Sequence, residues 1–284
     1  MKKKTRRSFI KSSLGALLSL AGTSIGGKYY AEQVEPRWLE VNSFTIAHKL
    51  IPKGFNSTKI VQFSDTHLGF QFQLEDLKSI ILKINRLQPD IIFFTGDLMD
   101  APHEYTRSGE IIPILRELKA PLGKFCVYGN HDHGGNGTDL YKSIMEKSGF
   151  TLLKNESKEI KLLNKERICI SGIDEPMLGR PNVRRALAGT RDTYQIMLSH
   201  APDLADDIFN YEVHLQLSGH SHGGQVQIPF YGTLVTPPFA EKYPEGFYTI
   251  NNQKLYVNRG LGTTRLPYRF LSRPEITIFE LQSV

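Results

Sequence analysis

The chain has 284 residues, of which 40% are hydrophobic and 23% charged, a composition typical of globular proteins and not of disordered or fibrous ones. Its net charge of +6 comes from six basic residues among the first 26, which contain no acid, so residues 28–284 are neutral. A nucleic-acid interface needs basic charge on the folded domain itself. We therefore expect no nucleic-acid binding.

The N-terminal segment, residues 1–30, has the pattern of an export signal. A basic region precedes an apolar stretch over residues 14–25, which is shorter than the roughly 20 apolar residues that a membrane-spanning helix needs. Residues 5–11, with their paired arginines, fit a twin-arginine motif; an ordinary basic leader is the alternative. No clear cleavage site follows, so residues 12–26 could remain as a membrane anchor.

Residues 38–284 are predicted to form a single domain that begins with alternating strands and helices. A continuous apolar run over 59–65 predicts a buried strand. Apolar residues at spacings of three and four predict an amphipathic helix over 74–88, which Pro89 ends. The apolar run over 90–97 predicts the next strand. Strand, helix and strand in this order form a βαβ unit, and such units build parallel sheets.

The later part of the chain is richer in β-structure. The remaining predicted elements are an edge strand over 39–50, helices over 108–119 and 138–148, a strand over 124–128, a hairpin over 158–173, a loop with a short helix over 174–192, and strands over 194–198, 213–217, 255–257 and 276–281. This order predicts an α/β fold, a layered α/β/β/α sandwich in which helices flank two mixed sheets. The aromatic and proline-rich stretch 226–248 is expected to be mainly core of the second sheet; a wall of the substrate pocket is the alternative.

Five polar clusters each follow a predicted strand. They are Asp65-Thr66-His67, Gly96-Asp97, Gly129-Asn130-His131-Asp132, Ser199-His200 and Gly219-His220-Ser221-His222. Ligand sites in open α/β sheets gather at the carboxyl ends of the strands, so these distant segments should converge on one crevice. Asp65 and His67 are two residues apart on a segment expected to be extended, and their side chains should therefore face the same side.

The residue types in these clusters predict a metal site. Seven candidate ligands offer carboxylate, amide and imidazole donors and no thiolate: Asp65, His67, Asp97, Asn130, His200, His220 and His222. Mixed oxygen and nitrogen donors suit divalent Mn, Fe or Zn. Seven ligands are too many for one ordinary site and about right for two, if one carboxylate bridges. Each cluster alone is weak evidence, whereas five in this order, each after an apolar strand, are specific.

The order of the clusters resembles that of the calcineurin-like metallophosphoesterases, whose pattern is D-x-H, G-D, G-N-H-D/E, H and G-H-x-H. The match spans residues 59–222 and is complete at every ligand position. Gly223-Gly224-Gln225 and Arg259-Gly260-Leu261-Gly262 further resemble a bacterial exported subgroup. The resemblance implies a metal-dependent phosphoric ester hydrolase.

The resemblance also implies a role for each residue. Asp65, His67 and His222 would bind one ion, Asn130, His200 and His220 would bind the second, and Asp97 would bridge them. His131 would donate a proton to the leaving group, and Asp132 would orient His131. Two ions about 3.5–4 Å apart would clamp the phosphate and acidify a bridging water, whose hydroxide attacks phosphorus.

The leading hypothesis is an exported phosphodiesterase that uses the twin-arginine export machinery and acts on an envelope or extracellular substrate. It would work in the cell wall, on the extracellular face of the membrane or in the periplasm. A phosphomonoesterase and a pyrophosphatase of nucleotide-linked lipids are the alternatives among enzymes, because the metal site serves all three. The alternative of another class is a non-catalytic metal-binding module, which would have no use for His131.

Several residues outside the clusters carry weaker expectations. Asp100 and Asp174 could support the ligands or merely cap loops. Arg259 could contact phosphate or form an ion pair. Cys126 and Cys169 lie in apolar runs and are expected to be buried thiols, with a disulfide left open. The isolated histidines 48, 103 and 214 are expected to be structural or exposed.

Overall fold

A computed structural model of the chain describes residues 24–134, 137–190 and 192–284. The twin-arginine motif and most of the apolar stretch lie outside the described residues, so the export signal stays a prediction. Within the described ranges, no helix is both long enough and apolar enough to cross a membrane.

The strands and helices of the domain are named here in chain order. The strands are β1 (Glu40–His48), β2 (Lys59–Phe63), β3 (Ile91–Phe94), β4 (Gly123–Cys126), β5 (Thr151–Leu152), β6 (Glu156–Lys161), β7 (Arg167–Gly172), β8 (Tyr194–Leu198), β9 (Leu215–Ser218), β10 (Gln227–Ile228), β11 (Gly232–Thr233), β12 (Gly246–Ile250), β13 (Gln253–Val257) and β14 (Glu275–Ser283). The helices are α1 (Leu74–Arg86), α2 (Ile111–Arg116), α3 (Gly137–Lys147), α4 (Val183–Ala186) and α5 (Ala205–Ile208).

Two six-stranded mixed sheets form the middle of the molecule. The first has the order β1-β14-β2-β3-β4-β5, and the second has the order β12-β13-β9-β8-β7-β6. Strands β2 to β5 run parallel to one another, while β14 is antiparallel to β2 and parallel to β1. In the second sheet, β7, β8, β9 and β13 are parallel, and β6 and β12 are antiparallel to their neighbours.

The layers follow from the alternation of side chains along the strands. Ile91 and Phe93 of β3 pack between the sheets against residues such as Ile196 of β8, whereas Ile92 and Phe94 face the helices α1 to α3. A smaller cluster on the outer side of the second sheet includes Met197, Ala186 of α4 and Ile208 of α5. The predicted α/β/β/α sandwich is therefore confirmed.

Local sequence signals explain where two helices begin. Gln73 and Asp76 form a reciprocal capping box at the start of α1, which satisfies two backbone N–H groups that lack intrahelical partners. The helix predicted over 108–119 is shorter, because only Ile111–Arg116 is α-helical and Ser108–Glu110 is a 3-10 turn. Pro113 lies in the first turn of α2, where its missing N–H costs no hydrogen bond.

Residues 226–248 are mostly not part of the core, contrary to the prediction from their aromatic composition. Phe230 and Tyr231, at the tip of the short hairpin β10–β11, are 110% and 76% exposed, and Leu234 and Val235 are also exposed. Tyr243 is the buried aromatic of this stretch among the described residues. β12 joins the second sheet as an edge strand with no buried residue, so the prediction of core holds for Tyr243 and is wrong for β12 and for the hairpin.

The two cysteines are free thiols. Both are buried, and they are not bonded to each other. Cys126 packs with the helix-side core of the first sheet, and Cys169 lies on β7 of the second sheet. The open question of a disulfide is answered by this separation.

Candidate metal centre

The loops that follow β2, β3, β4, β8 and β9 meet at one edge of the two sheets. Because β2, β3 and β4 are parallel, and β8 and β9 are parallel, their carboxyl ends lie side by side. All seven candidate ligands meet there, and the six carboxylate and imidazole ligands among them are buried: Asp65, His67, Asp97, His200, His220 and His222, with Asn130 half-buried beside them.

The backbone at the candidate ligands is not extended. The prediction that Asp65 and His67 share one face of an extended segment is therefore wrong. Asp65, His67, Asp97, His220 and His222 all have positive φ values, between 43° and 72°. Residues other than Gly seldom adopt this left-handed region, although Asn, Asp and His do so more often than the rest, and such conformations concentrate at functional sites. Sharp turns after the strands, not a shared face of a strand, therefore bring these side chains together.

The first group of donors contains Asp65, His67 and His222. Nε2 of His67 lies 3.0 Å from Nε2 of His222 and 4.0 Å from Oδ1 of Asp65. Nε2 of His222 lies 3.5 Å from the same carboxylate oxygen. Donors that bind one ion at about 2.0–2.2 Å lie roughly 3–4 Å apart, so these three atoms fit a single divalent ion.

The second group contains Asp97, His200 and His220, with Asn130 beside it. Nε2 of His200 lies 3.3 Å from Oδ2 of Asp97 and 3.2 Å from Oδ1 of Asn130. The same Oδ2 of Asp97 lies 3.5 Å from Nε2 of His67 in the first group. One carboxylate oxygen thus lies between the two groups, which is the position that a bridging ligand requires.

Contacts on the far side of the rings support ligation. Nδ1 of His67 is 3.0 Å from Oδ1 of Asp100, and Nδ1 of His200 is 2.7 Å from the carbonyl of Thr95, which leaves Nε2 of each ring for the centre. His220 is reversed, because its Nε2 is 2.9 Å from the carbonyl of Pro238 and its Nδ1 is therefore free for the centre. Such partners orient metal-binding histidines.

Burial and neighbouring positive charge keep His220 and His222 neutral. Burial and the neighbouring His200 lower the pKa of His220 to about 3. Burial, His67 and Arg269 lower the pKa of His222 well below its ordinary value. Burial alone would disfavour charge on Asp97 and His200, but their mutual attraction lowers the pKa of Asp97 and raises that of His200 to about 10. Metals bind the neutral imidazole and the ionised carboxylate, so His220 and His222 are already in the binding form, whereas His200 must release a proton when an ion binds.

His131 lies beside the centre and is half-buried. Its backbone N–H donates to Oδ1 of Asp97 at 2.8 Å, and its ring makes an edge contact with His67, with centroids 4.6 Å apart. Burial opposes a charged imidazole, but the charge of Asp97 and the Asp100 carbonyl raise the pKa of His131. The ring is thus held in place at the mouth of the centre, with its Nε2 unused by protein contacts among the described residues.

Asp132 does not orient His131 as expected. Its carboxylate accepts hydrogen bonds from the backbone N–H groups of Asp97, Leu98 and Gly129, at 2.8–3.0 Å. The group that contacts Nδ1 of His131 is the carbonyl of Asp100, at 2.6 Å. A carboxylate that is fully buried next to backbone amides satisfies them first, so Asp132 fixes the loops that carry Asp97 and Asn130.

The structure also contains supporting residues that the sequence did not single out. Thr264 donates its hydroxyl to Oδ1 of Asp100, and the buried Arg269 lies 3.4 Å from Nδ1 of His222. Arg269 is held by backbone carbonyls, including that of Ser272 at 2.8 Å. No motif marks these positions, because they reach the centre from a loop more than 40 residues beyond His222.

The structure also shows where the residues outside the five clusters lie. Arg259 forms ion pairs with Glu40 and Glu275, each with a closest distance of 2.7–2.8 Å, and it does not line the pocket. Asp174 is 2.8 Å from Nε2 of His133. His48 and His214 pack on each other away from the centre, with ring centroids 4.6 Å apart.

Comparison with known proteins decides the family. The calcineurin-like phosphoesterase family model matches residues 58–224 of this chain, which contain all seven candidate ligands. The chain belongs to the calcineurin-like phosphoesterase family. As a member of it, the protein is a metal-dependent phosphoric ester hydrolase.

Relatives of this calcineurin-like phosphoesterase match along nearly the whole chain. The uncharacterized metallophosphoesterase YkuE of Bacillus subtilis is 51% identical and is covered over 99% of its length by 100% of this chain. The phosphodiesterase YaeI of Escherichia coli is 26% identical, with 98% of this chain and 99% of YaeI covered. The UDP-2,3-diacylglucosamine pyrophosphatase LpxG of Chlamydia muridarum is 29% identical, with 88% and 91% covered.

The centre of this phosphoesterase opens into a pocket of about 340 Å³. Apolar side chains form most of its wall beyond the ligands: Met177, Val226, Leu234, Val235, Pro237 and Leu266. Arg265 is the one charged side chain that the described residues add to this wall outside the centre. The wall is thus much less polar than the metal-ligand floor.

Proposed function

We propose that the protein is an exported phosphodiesterase with two divalent metal ions. The observation that carries the two-ion proposal is the position of Asp97, whose Oδ2 lies 3.5 Å from His67 Nε2 and 3.3 Å from His200 Nε2. Asp65, His67 and His222 would hold one ion, and Asn130, His200 and His220 the other. When bound, such ions polarise phosphoryl oxygens and lower the pKa of water.

The protein's own groups would position the ester and supply a proton. His131 lies at the rim of the centre with Nδ1 fixed by the Asp100 carbonyl, so its Nε2 points away from that contact. The charge of Asp97 and the Asp100 carbonyl raise the pKa of His131, which favours the protonated ring, and that proton can pass to the departing oxygen. Asp132 keeps the two loops in register through its three backbone hydrogen bonds.

The pocket wall favours a diester over a monoester. A monoester dianion carries two charges and is best bound by several cationic groups, whereas a diester carries one charge and a second substituent. Outside the centre, the described wall offers one arginine, Arg265, and six apolar side chains. Such a wall suits the second substituent better than a second negative charge. The relative YaeI is a phosphodiesterase, which agrees with this choice.

A pyrophosphatase of nucleotide-linked lipids is the second candidate, and two observations favour it. The apolar wall could accept acyl chains, and LpxG is named as a pyrophosphatase of a diacylated sugar nucleotide. The two candidates differ in the bond cleaved, a phosphoester in one and a phosphoanhydride in the other.

Substrate hydrolysis by the full chain tests the proposal. We expect chelator-sensitive cleavage of a generic aryl phosphodiester with Mn²⁺ or Zn²⁺, and slower cleavage of the matching monoester. Turnover of the monoester alone would overturn the diesterase and retain the metal chemistry. Cleavage of a UDP-linked lipid without cleavage of the diester would favour the second candidate.

The bridging role of Asp97 has its own test. Asp97→Asn removes the charge between the two groups, and elemental analysis should show loss of metal from both. Asp207→Asn is the matched control, because Asp207 is exposed and remote from the centre. Full occupancy in Asp97→Asn would contradict the bridge.

Export is proposed from the paired Arg6 and Arg7 and the apolar stretch after them. An Arg6→Lys/Arg7→Lys variant should stay in the cytoplasm, because the twin-arginine machinery reads both arginines. Normal export of that variant would remove the basis of this proposal.

A further inference from the structure

The hairpin β10–β11 projects apolar side chains beside the metal centre. Its two ends, Val226 and Leu234, line the pocket, and its tip carries Phe230 and Tyr231, which are 110% and 76% exposed. Phe230 also has a φ of 67°. An exposed turn in this conformation is usually made by Gly or Asn, so a bulky aromatic there is unfavourable for folding alone.

The base of the hairpin is firmly attached, in contrast to its tip. Val226 forms a bridge with Phe270, and the Gln227 N–H donates to the Phe270 carbonyl at 2.9 Å. The side chain of Gln225 makes two hydrogen bonds with the backbone of Thr264. Its Oε1 accepts from the Thr264 N–H at 2.8 Å, and its Nε2 donates to the Thr264 carbonyl at 3.0 Å. The apolar tip is therefore presented on a fixed support and not on a loose loop.

Apolar and basic side chains also lie on two other segments that reach the pocket through Met177, Arg265 and Leu266. Met177 and Leu178, on the loop before α4, are exposed, as is Leu266 on the loop that carries Arg265. Residues 225–239 contain no charged side chain, and residues 176–190 and 263–272 contain basic residues and no acid. Arg265 lines the pocket, while Arg180 and Arg184 follow Met177 along the chain and line neighbouring grooves. Within the described ranges, all three are exposed and no carboxylate lies within ion-pair distance of them.

The N-terminal segment enters the domain at the same place. The edge of the Tyr30 ring contacts Phe270, with centroids 6.2 Å apart, and the Arg269 N–H donates to the Ala31 carbonyl at 2.8 Å. Phe270 is the residue that pairs with the base of the hairpin. The end of the predicted leader and the residue after it thus join the face that holds the pocket and the apolar tip.

We infer that this face docks on an anionic lipid bilayer, with Phe230 and Tyr231 inserted among the headgroups and the metal centre turned toward the membrane. Apolar insertion combined with attraction between exposed arginines and anionic lipids is the usual basis of reversible membrane binding. The substrate would then be a phosphodiester carried by a lipid. Only this last step depends on the proposed function; the docking itself does not.

Insertion of the tip can be measured without turnover. The chain has one tryptophan, Trp38, which Trp38→Phe removes, and Phe230→Trp then reports on the tip in the full chain. Leu163→Trp is the matched control, because Leu163 is 105% exposed at the β6–β7 turn and does not line the pocket. Vesicles would contain equal amounts of phosphatidylglycerol and phosphatidylcholine, or phosphatidylcholine alone, with brominated acyl chains as quenchers.

We expect the anionic vesicles to quench Phe230→Trp and shift its emission to the blue, while Leu163→Trp stays accessible to an aqueous quencher. Because the same leader is present in both variants, binding through the leader alone cannot produce the difference. Equal responses of the two reporters would overturn the docking. Equal quenching by the two kinds of vesicle would overturn the choice of an anionic surface.

A second variant tests the consequence for turnover. Phe230→Ser/Tyr231→Ser should lower hydrolysis of a long-chain aryl phosphodiester in anionic vesicles by about tenfold, and should leave a short soluble aryl phosphodiester unaffected. Equal loss on both substrates would make the hairpin part of the pocket and overturn the docking. If the wild-type chain hydrolyses neither substrate, the proposed function fails, and the fluorescence result still decides the docking.

Discussion

The Nε2 atoms of His67 and His222 lie 3.0 Å apart, although both rings are buried. Burial, His67 and Arg269 keep the pKa of His222 well below its ordinary value, so His222 presents a lone pair toward its neighbour. A divalent cation can satisfy two such nitrogens at once, whereas the protein alone can satisfy them only with a single shared proton.

Metal binding should therefore stabilise the fold. A ligand present at a hundredfold excess over its Kd stabilises the native state by about 2.7 kcal/mol, so Mn²⁺ or Zn²⁺ should raise the Tm and chelator should lower it. Thermal unfolding with and without chelator measures the shift. The double variant His67→Ala/His222→Ala should lose most of it, and an unchanged Tm in the wild type would contradict the site.

Replacement of the residue at the mouth should affect rate and not metal content. His131→Ala removes a general acid, and such groups contribute about 10²–10⁴-fold to the rate. We expect a loss of this size in kcat, with normal metal content by elemental analysis. His103→Ala, on an exposed loop, is the control. Loss of both metals in His131→Ala would exclude the role proposed for it.

Asp100 is expected to strengthen metal binding by orienting the His67 ring. Its Oδ1 accepts hydrogen bonds from the His67 ring and from the Thr264 hydroxyl, at 3.0 and 2.8 Å. Removal of such a partner commonly costs about 10–100-fold in metal affinity or activity, so Asp100→Asn should need more Mn²⁺ for half-maximal activity. Thr264→Val, which leaves the His67 contact in place, should have a smaller effect. Equal effects of the two variants would contradict the idea that Asp100 acts through its hydrogen bond to His67.

Gly129 should tolerate no side chain. A Cβ there would collide with the backbone N and the carboxylate of Asp97, whereas one at Gly109 would meet nothing within 4 Å. Overpacking of this kind typically costs about 1–3 kcal/mol, and it would displace the carboxylate that we propose bridges the two ions. Gly129→Ala should lose stability in urea titrations together with activity, and Gly109→Ala should keep both. Normal activity in Gly129→Ala would show that the loop can shift to make room for the added Cβ.

The isolated His214 should make stability depend on pH. Burial and the neighbouring His48 lower the pKa of His214 to about 4, below its ordinary value near 6.5. Between these values the unfolded chain binds a proton that the folded chain does not, so stability falls as the pH drops from about 6.5 to 4. With an allowance for partial exposure, the loss is about 1–2 kcal/mol.

The matched variant for this prediction is His214→Asn, whose side-chain oxygen can take over the hydrogen bond that Nδ1 accepts from the Gln195 N–H. Urea unfolding at pH 7 and pH 4.5 should show a smaller pH dependence for the variant than for the wild type. Identical dependence would mean that other groups set the acid stability.

The sequence alone determined the candidate ligand set of this protein. Apolar runs mark the strands, and the polar clusters that follow them must lie at the carboxyl ends of parallel strands. The residue types and their order therefore suffice to name Asp65, His67, Asp97, Asn130, His200, His220 and His222, because both signals are local in the chain.

Only the tertiary structure decided how the centre is supported and what surrounds it. The predicted contact between Asp132 and His131 is wrong, because buried backbone N–H groups compete for a carboxylate and no sequence pattern records that competition. Arg269 and Thr264 reach the centre from a distant loop, and Phe230 is exposed where composition suggested core. These contacts depend on how loops pack after the strands are in place, and hydrophobic periodicity carries no information about that packing.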